Sequence, residues 1–463
     1  MTKPSFLEKL KGKNLHLVGF LGLEGWAMAD FLIKKGFENI TFHDFTQEKE
    51  IFQKFKKTHP GFSEKKIKEA FEKIKKLKKV CLKNNYLKDI EKAEAIFLPQ
   101  SWFLYKENKP LFSLKGKTPF YGILNFYLEL ALAQIIGVTG SQGKTTTCRL
   151  IYHILRYAKK KKEIEGKVYY GGNDRSACQS LEKIDQMRGN DFLILEISHR
   201  QLMFDIKKSP KIAVILNITK NHLDETGSFE NYIKLKEKIA KYQTKNDFLI
   251  LNKEDSVLKK LSKNKKSKII FFSRKEKIDI EEKKLPLLGK HGKEDILAAK
   301  KVAEIVGVSK EAIKKAILSF PPPKNCLEFL KEKRGIEYWN DLASTTPEAT
   351  KEAIEFLSSQ GKEIILICGG EDKGMEIKKL ASIIERKVKK AIFLPGSGTK
   401  KLAFLIKNQE KIMKVKTLKE ALNKAVSFKN KNKKIAILIS PAFAFFGSYF
   451  GKRKDILRII KRL

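Results

Sequence analysis

Short, almost uninterrupted apolar runs set the limits on this fold. "DFLILEIS" (191–198), "KIAVILNIT" (211–219), "DFLILN" (247–252), "EIILICGG" (363–370) and "KIAILIS" (434–440) are each only a few residues long. Runs of this kind read as strands buried on both faces, which is the environment of a parallel sheet. Stretches with a helical period lie between them, such as "EGWAMADFLIKKG" (24–36), "KTTTCRLIYHILRYA" (144–158), "NYIKLKEKIAKYQ" (231–243) and "TPEATKEAIEFLSS" (346–359). Parallel neighbours need crossover connections, usually helical. The alternation therefore predicts an α/β architecture with mostly parallel sheets covered by helices. An apolar content of 42% is enough for packed cores and excludes a disordered chain.

A chain of 463 residues is longer than one core supports, since single cores stop growing at about 250–300 residues. "NLHLVGF" (14–20), the helical stretch after it and "NITFHDF" (39–45) open the chain as a βαβ unit. Residues 48–80 are rich in Lys and Glu with a helical period, and read as an exposed insertion. "SFPPPKN" (319–325) is the clearest linker, and the strand–helix pattern restarts beyond it. Breaks near 122 and 322 give three expected domains: 1–122 Rossmann-like, 123–321 a central P-loop ATPase-like unit, and 322–463 Rossmann-like again.

The net charge is +43, from 96 Lys and Arg against 53 Asp and Glu. Such a balance suits nucleic acid or an acidic membrane. Here the cations are mostly Lys and run the whole length, as in "AKKKKEIEGK" and "KKLSKNKKSK", which favours a lysine-loaded solvated surface. The positive field would still steer anionic substrates. The five cysteines are single and form no C-x-x-C, so neither a zinc site nor a disulfide framework is expected. "MTKPSFLEKLKGK" has no signal-peptide apolar region. "IAILISPAFAFF" falls short of the ~18–20 residues that span a bilayer. The expectation is a cytoplasmic monomer, without membrane insertion or nucleic-acid partner.

Two glycine-bearing turns follow strands. Gly19, Gly22 and Gly25 miss the G-x-G-x-x-G dinucleotide spacing, although Asp44 sits at the right distance after the second strand. A nicotinamide-type site, a general phosphate turn and a purely structural turn all remain open there. "GVTGSQGKTTT" (137–147) is more specific. Gly140 and Gly143 let backbone N–H groups converge on phosphate oxygens across Ser141 and Gln142. Lys144 supplies a cation, and Thr145 and Thr146 supply hydroxyls. The helix N-terminus behind the loop favours anions. The glycine expected five places before Gly143 stands one residue earlier, at Gly137, so this is a variant phosphate loop. Glu196 ends an apolar run, and His222 and Asp224 follow the next one, with Lys236 on the helix beyond. Ligands of α/β sheets gather at these carboxyl ends of strands. As a set beside a phosphate loop, they suit magnesium and ATP. Further on, Asp341 ends a strand, Thr345 and Thr346 precede Pro347 at a helix start, and Lys373 lies on the glycine-rich turn "CGGEDKG".

Taken in order, these motifs resemble the Mur ligase family over essentially the whole chain. "IIGVTGSQGKTTT" is similar to that family's T-G-[ST]-x-G-K-[ST]-[ST] loop and shares its one-residue offset. "LEISHRQL", "NITKNHLDETGSFENYIKLKEKI", "LGKHGKEDILAAK", "NDLASTTPEAT", "CGGEDKG" and "LISPA" are similar to its later signatures. The resemblance is to the glutamate-adding member. It implies an ATP- and Mg2+-dependent amide ligase of peptidoglycan precursor synthesis that joins D-glutamate to UDP-MurNAc-L-Ala through an acyl phosphate. It implies phosphate binding by Lys144 and the loop residues, and metal binding by Thr145, Glu196 and His222. Lys236 would be carbamylated and serve the metal site. Substrate contacts would come from Asn173, Ser198 and Gln201, nucleotide contacts from Asp295 and Asp341, and amino-acid contacts from Thr345 and Lys373. A sibling adding another amino acid such as L-glutamate, and a nucleotide-dependent oxidoreductase, are the alternatives.

Departures from the family pattern are local. Gly292 and Asp295 replace an Asn-x-x-Asn pair, Cys326 or Lys324 stands at a linker arginine, "LPQSWF" replaces an S-P-G turn, and Phe445 replaces a serine of the last loop. The first change bears on an adenine contact, the second on a phosphate contact, the third on uridine recognition and the last on amino-acid choice.

Overall fold

In the computed structural model, residues 5–173, 180–219, 223–280, 285–286, 289–321, 325–372, 374–428, 434–444 and 453–462 are described. Seventeen strands among them form three sheets. The chain divides into one unit of Met1–Asp279 with Glu294–Ile317, and a second of Ile280–Lys293 with Leu318–Leu463. The alternation of strands and helices gives the expected α/β class.

The first unit holds two parallel sheets. One has the order β3-β2-β1-β4-β5, from β1 (Leu15–Val18), β2 (Ile40–Asp44), β3 (Val80–Leu82), β4 (Ala95–Phe97) and β5 (Phe120–Tyr121). The other has the order β11-β10-β9-β6-β8-β7, from β6 (Gln134–Thr139), β7 (Val168–Gly172), β8 (Phe192–Glu196), β9 (Ile212–Ile215), β10 (Phe248–Asn252) and β11 (Lys268–Phe272). Every residue of β8 and β9 is buried, as continuous apolar runs require. The chain order reverses around β1 in one sheet and around β6 in the other, because each has later strands on both sides. The carboxyl ends of strands at such a reversal form the crevice where α/β proteins bind ligands.

Residues 48–80 are not an exposed insertion. The helices Ile51–Thr58 and Glu64–Lys75 form the crossover between the parallel strands β2 and β3. Ile51, Phe55, Ile67, Ala70 and Ile74 are buried in the core that contains Leu15 and Leu17. Phe55 meets Trp26 edge-to-face, with centroids 5.4 Å apart. The Lys and Glu that dominate the composition occupy the outer faces of two amphipathic helices. Overall polarity concealed a narrow apolar stripe.

The second unit has one sheet, ordered β12-β13-β17-β14-β15-β16, from β12 (Glu328–Lys333), β13 (Ile336–Asn340), β14 (Glu363–Gly369), β15 (Val388–Phe393), β16 (Ile412–Lys414) and β17 (Ile435–Ala442). All pairs are parallel except β12–β13, a hairpin on the edge. The edge strand β12, "EFLKEK", mixes charged and apolar residues and gives no apolar run to read. No helix among the described residues is long and apolar enough to cross a membrane.

Candidate functional site at the strand ends of the first unit

The phosphate loop leaves β6 and enters the helix Lys144–Lys160. Gly143 is the turning point, with φ +82°, a conformation that costs other residues but not glycine. A Cβ there would also stand 2.3 Å from the Asp295 carboxylate. Asn217, just past β9, anchors the loop. Its carbonyl accepts from Ser141 N at 3.0 Å, and its side chain accepts from Gln142 N at 2.9 Å. The Ser141 hydroxyl donates to Thr219 O at 3.2 Å. The loop is therefore held from the neighbouring strand end.

Lys144 folds back over its own loop and donates to Gly140 O at 2.8 Å and Ser141 O at 3.2 Å. Desolvation pulls its ammonium below the usual lysine range, with the Glu196 carboxylate acting in the opposite direction. Thr145 donates to Glu196 Oε2 at 2.7 Å, and Asn173 Nδ2 donates to Glu196 Oε1 at 2.8 Å. Thr146 is half-buried in the first helical turn. The Asp295 carboxylate accepts from Thr147 at 2.9 Å, so it lies on the loop helix.

Lys236 is 1% exposed on the helix Phe229–Glu237. Its Nζ donates to Gly140 O at 2.9 Å and Thr139 Oγ1 at 3.3 Å. It also sits 4.8 Å from the centre of the buried Tyr232 ring. Burial drives this amine well below the ordinary lysine range, and the nearby Lys144 adds to the effect. Such burial favours the neutral, nucleophilic form of the amine over the ammonium.

Ser198 and Gln201 follow β8. Ser198 N donates to Gln201 Oε1 at 3.1 Å, and Gln201 N donates to Ser198 Oγ at 3.1 Å. The structure thus brings together Gly140 to Thr146, Asn173, Glu196, Ser198, Gln201, Lys236 and Asp295. His222 and Lys373 lie outside the described residues, as do Lys324 and Phe445. Asp224 is exposed at the start of the short helix Leu223–Thr226.

In the second unit, the buried Asp341 accepts from Leu327 N at 2.9 Å and Ser440 Oγ at 2.7 Å. Burial pushes its carboxyl up to about 6, against the hydrogen bonds to Ser344, Ser440 and Leu327. Thr345 is exposed, and Thr346 caps the helix Pro347–Ser359 by accepting from Ala349 N.

The dinucleotide alternative loses its acid. Asp44 is buried and accepts from Thr46 N, Thr46 Oγ1 and Lys54 Nζ, the last at 2.6 Å. Those local partners compete with any ribose for its oxygens.

Several partners were not legible in the sequence. Asn217 lies within a motif, but its anchoring of Ser141 and Gln142 depends on β6 and β9 being neighbours. Glu225 accepts two bonds from Arg200, at 2.7 and 2.5 Å, and lies 2.9 Å from His199 Nε2. That clamp ties the segment after residue 222 to the turn after β8. An acid–base pair 25 residues apart carries no local signal.

The arrangement supplies a phosphate cradle, a cation, and paired hard oxygen donors from Thr145 and Glu196. Among the described residues no group of three His, Cys, Asp or Glu gathers to hold a metal on its own. Thr145 and Glu196 fit a hard divalent ion that takes its remaining oxygens from phosphate or water, as magnesium does.

Comparison with known proteins points the same way. The Mur ligase middle domain matches residues 138–305. UDP-N-acetylmuramoylalanine–D-glutamate ligase from Caldanaerobacter subterraneus subsp. tengcongensis is 30% identical over 460 residues, covering 94% of each chain. The Streptococcus mutans protein of the same name is 30% identical across 80% of this chain and 83% of its own. Among solved structures, UDP-N-acetylmuramate-alanine ligase from Thermotoga maritima aligns with a TM-score of 0.55 at 16% identity, over 97% of this chain and 99% of that one. That structural likeness concerns the fold.

Proposed function

The chain belongs to the Mur ligase family and is a ligase, and from that premise we propose that it joins D-glutamate to UDP-N-acetylmuramoyl-L-alanine in peptidoglycan precursor synthesis, driven by ATP cleavage. The observation that carries this reading is the meeting of Thr145 and Glu196 at 2.7 Å beside the phosphate loop, with the desolvated Lys236 behind it.

In this reading the γ-phosphoryl group of ATP passes to the terminal carboxylate of the uridine nucleotide substrate. ADP leaves and an acyl phosphate forms. The amino group of glutamate then attacks the acyl carbon, loses its proton, and expels inorganic phosphate to give the amide. Phosphoryl transfer of this kind needs positioning and charge neutralisation more than covalent help. The loop amides and Lys144 would hold the β- and γ-phosphates. Thr145 and Glu196 would hold magnesium, together with His222, and the ion would supply charge neutralisation at the phosphates. Gln201, Ser198 and Asn173 would orient the carboxylate-bearing substrate. Asp295 and Asp341 would contact the nucleotide, and Thr345 and Lys373 the incoming amino acid.

Lys236 would react as a neutral amine with CO2, forming an N–C bond and releasing a proton to give the carbamate. Its surroundings support this chemistry. The amine has lost its hydration and faces a second cation at Lys144, so conversion to an anion reverses an unfavourable interaction. The domain boundaries near 122 and 322 and a monomeric cytoplasmic protein complete the proposal.

The test is phosphate release with ATP, magnesium and UDP-N-acetylmuramoyl-L-alanine against a panel of D- and L-amino acids. Release with D-glutamate alone is expected. Release with L-glutamate or another member would reassign the amino acid, and no release with any would reject the nucleotide substrate.

A further inference from the structure

Glu24 stands in the first turn of the helix Leu23–Lys34 and is 7% exposed. It belongs to the first sheet's half of the unit, and its carboxylate takes donors from segments that follow strands of both sheets. Oε2 accepts from Gln100 N at 2.8 Å. Oε1 accepts from Gln100 Nε2 at 2.9 Å and from Gln201 Nε2 at 2.8 Å. Gln100 follows β4, and Gln201 follows β8.

The donors around it are themselves fixed. Gln100 Nε2 also donates to Asn173 Oδ1 at 2.9 Å, and Gln100 Oε1 accepts from Ser198 Oγ at 2.5 Å. Asn173 in turn binds Glu196, which binds Thr145 of the phosphate loop. A continuous chain of hydrogen bonds thus runs from the loop helix to Glu24. Asn173, Ser198 and Gln201 are the residues assigned above to substrate contact.

A cage of amide N–H groups converging on a buried carboxylate is an anion receptor, because acceptor-only oxygens are what such donors satisfy. We propose that Glu24 is a specificity-determining residue: its carboxylate is the built-in occupant of an amide-lined anion site, and the anionic diphosphate portion of the nucleotide substrate displaces it on binding. This rests on the substrate class proposed above. Substrate binding would then require Glu24 to leave, so the apparent affinity is lowered by the fraction of molecules in which the cage is already filled. In exchange, the cage rejects small anions that lack the rest of the substrate, since they cannot offset the displacement with contacts elsewhere.

The experiment measures binding of inorganic pyrophosphate and of UDP by calorimetry to the full chain, in wild type, Glu24→Gln and Glu24→Ala. Glutamine at 24 removes the charge and one acceptor without removing volume, setting its NH2 against Gln100 N, and alanine empties the cage outright. Binding of both probes should tighten by about fivefold to tenfold in each variant. In turnover, the gain should appear in KM for the nucleotide substrate rather than in kcat. If Glu24 only braces Gln100 and Gln201, the sign reverses and both variants bind more weakly. Equal or weaker binding in a variant whose thermal midpoint matches wild type overturns the proposal. Ligase turnover in the wild type is scored separately. If it is absent, the substrate assignment fails while the pyrophosphate result still decides the role of Glu24. If it is present without tighter anion binding in the variants, only the Glu24 inference falls.

Discussion

The Thr145 hydroxyl donates to Glu196 Oε2 at 2.7 Å, joining the first turn of the loop helix to the last residue of β8. Two hard oxygens meet there beside the glycine loop that follows β6, in a position that parallel pairing of β6 and β8 creates. Glu196→Gln keeps an oxygen for Thr145 but removes the negative charge. We expect kcat for phosphate release to fall by about 10²–10³-fold, the loss seen when one charge-stabilising group is removed from an active site. Turnover within tenfold of wild type at saturating ATP would contradict the metal-binding role.

Lys236 places an amine in the interior with one backbone carbonyl, one hydroxyl and an aromatic face around it. Lys236→Met should leave the fold as stable or make it more so, by up to about 1–4 kcal/mol, because a desolvated ionisable group gives way to an apolar one of similar length. Activity should nevertheless be lost. Lys236→Ala should regain part of it with short carboxylic acids, which can occupy the vacated volume and restore an anion. Loss of stability in the methionine variant, or no rescue of the alanine variant, would show that Lys236 acts as a plain structural cation.

Burial alone would raise the Glu225 carboxyl, but the bidentate bonds from Arg200, with His199 beside them, hold it down at about 2. The depressed value contributes stability above the ordinary glutamate range of about 4.5, and that contribution is lost as pH falls through about 2. Glu225→Gln leaves Arg200 in place with a neutral acceptor. At neutral pH it should cost about 1–2 kcal/mol in chemical denaturation, towards the low end for paired charges because Arg200 remains partly exposed. An unchanged denaturation midpoint would mean the clamp contributes nothing to the segment it joins.

Asp341 has the opposite pH signature. Burial raises its carboxyl from an ordinary 3.8 to about 6, so the folded chain holds an extra proton between those values. Its contribution is complete below about pH 4 and is lost as pH rises through about 6. Asp341→Asn cannot titrate. The stability difference between wild type and variant should therefore shift against the wild type from pH 4 to pH 6.5, by about 1–3 kcal/mol. Parallel thermal midpoints across that range would exclude a raised carboxyl.

Much of the architecture is legible in the residue pattern. Apolar runs such as "DFLILEIS" and "KIAVILNIT" form β8 and β9, and the loop "GVTGSQGKTTT" forms a strand–turn–helix, because each is a local pattern. The crossover at 48–80 is hidden because its buried residues, such as Phe55 and Ile67, are outnumbered by charges on the outer faces. Edge strands such as β12 are hidden because half-exposed strands need no continuous apolar run.

The order of strands and helices, the phosphate loop and the family all follow from the sequence. Those features depend on neighbours along the chain: side-chain period, turn glycines and residues at fixed spacing. What the functional groups touch depends instead on how the elements pack. Glu24 and Gln201 are 177 positions apart, and Thr145 and Glu196 are 51 apart. Neither pair leaves a periodic trace, because their meeting is set by which strands become neighbours and which helix turns face inward. Lys236 illustrates the same limit. Lysine is one of the commonest residues in this chain, and packing against Tyr232 and the phosphate loop alone separates this amine from the solvated ones.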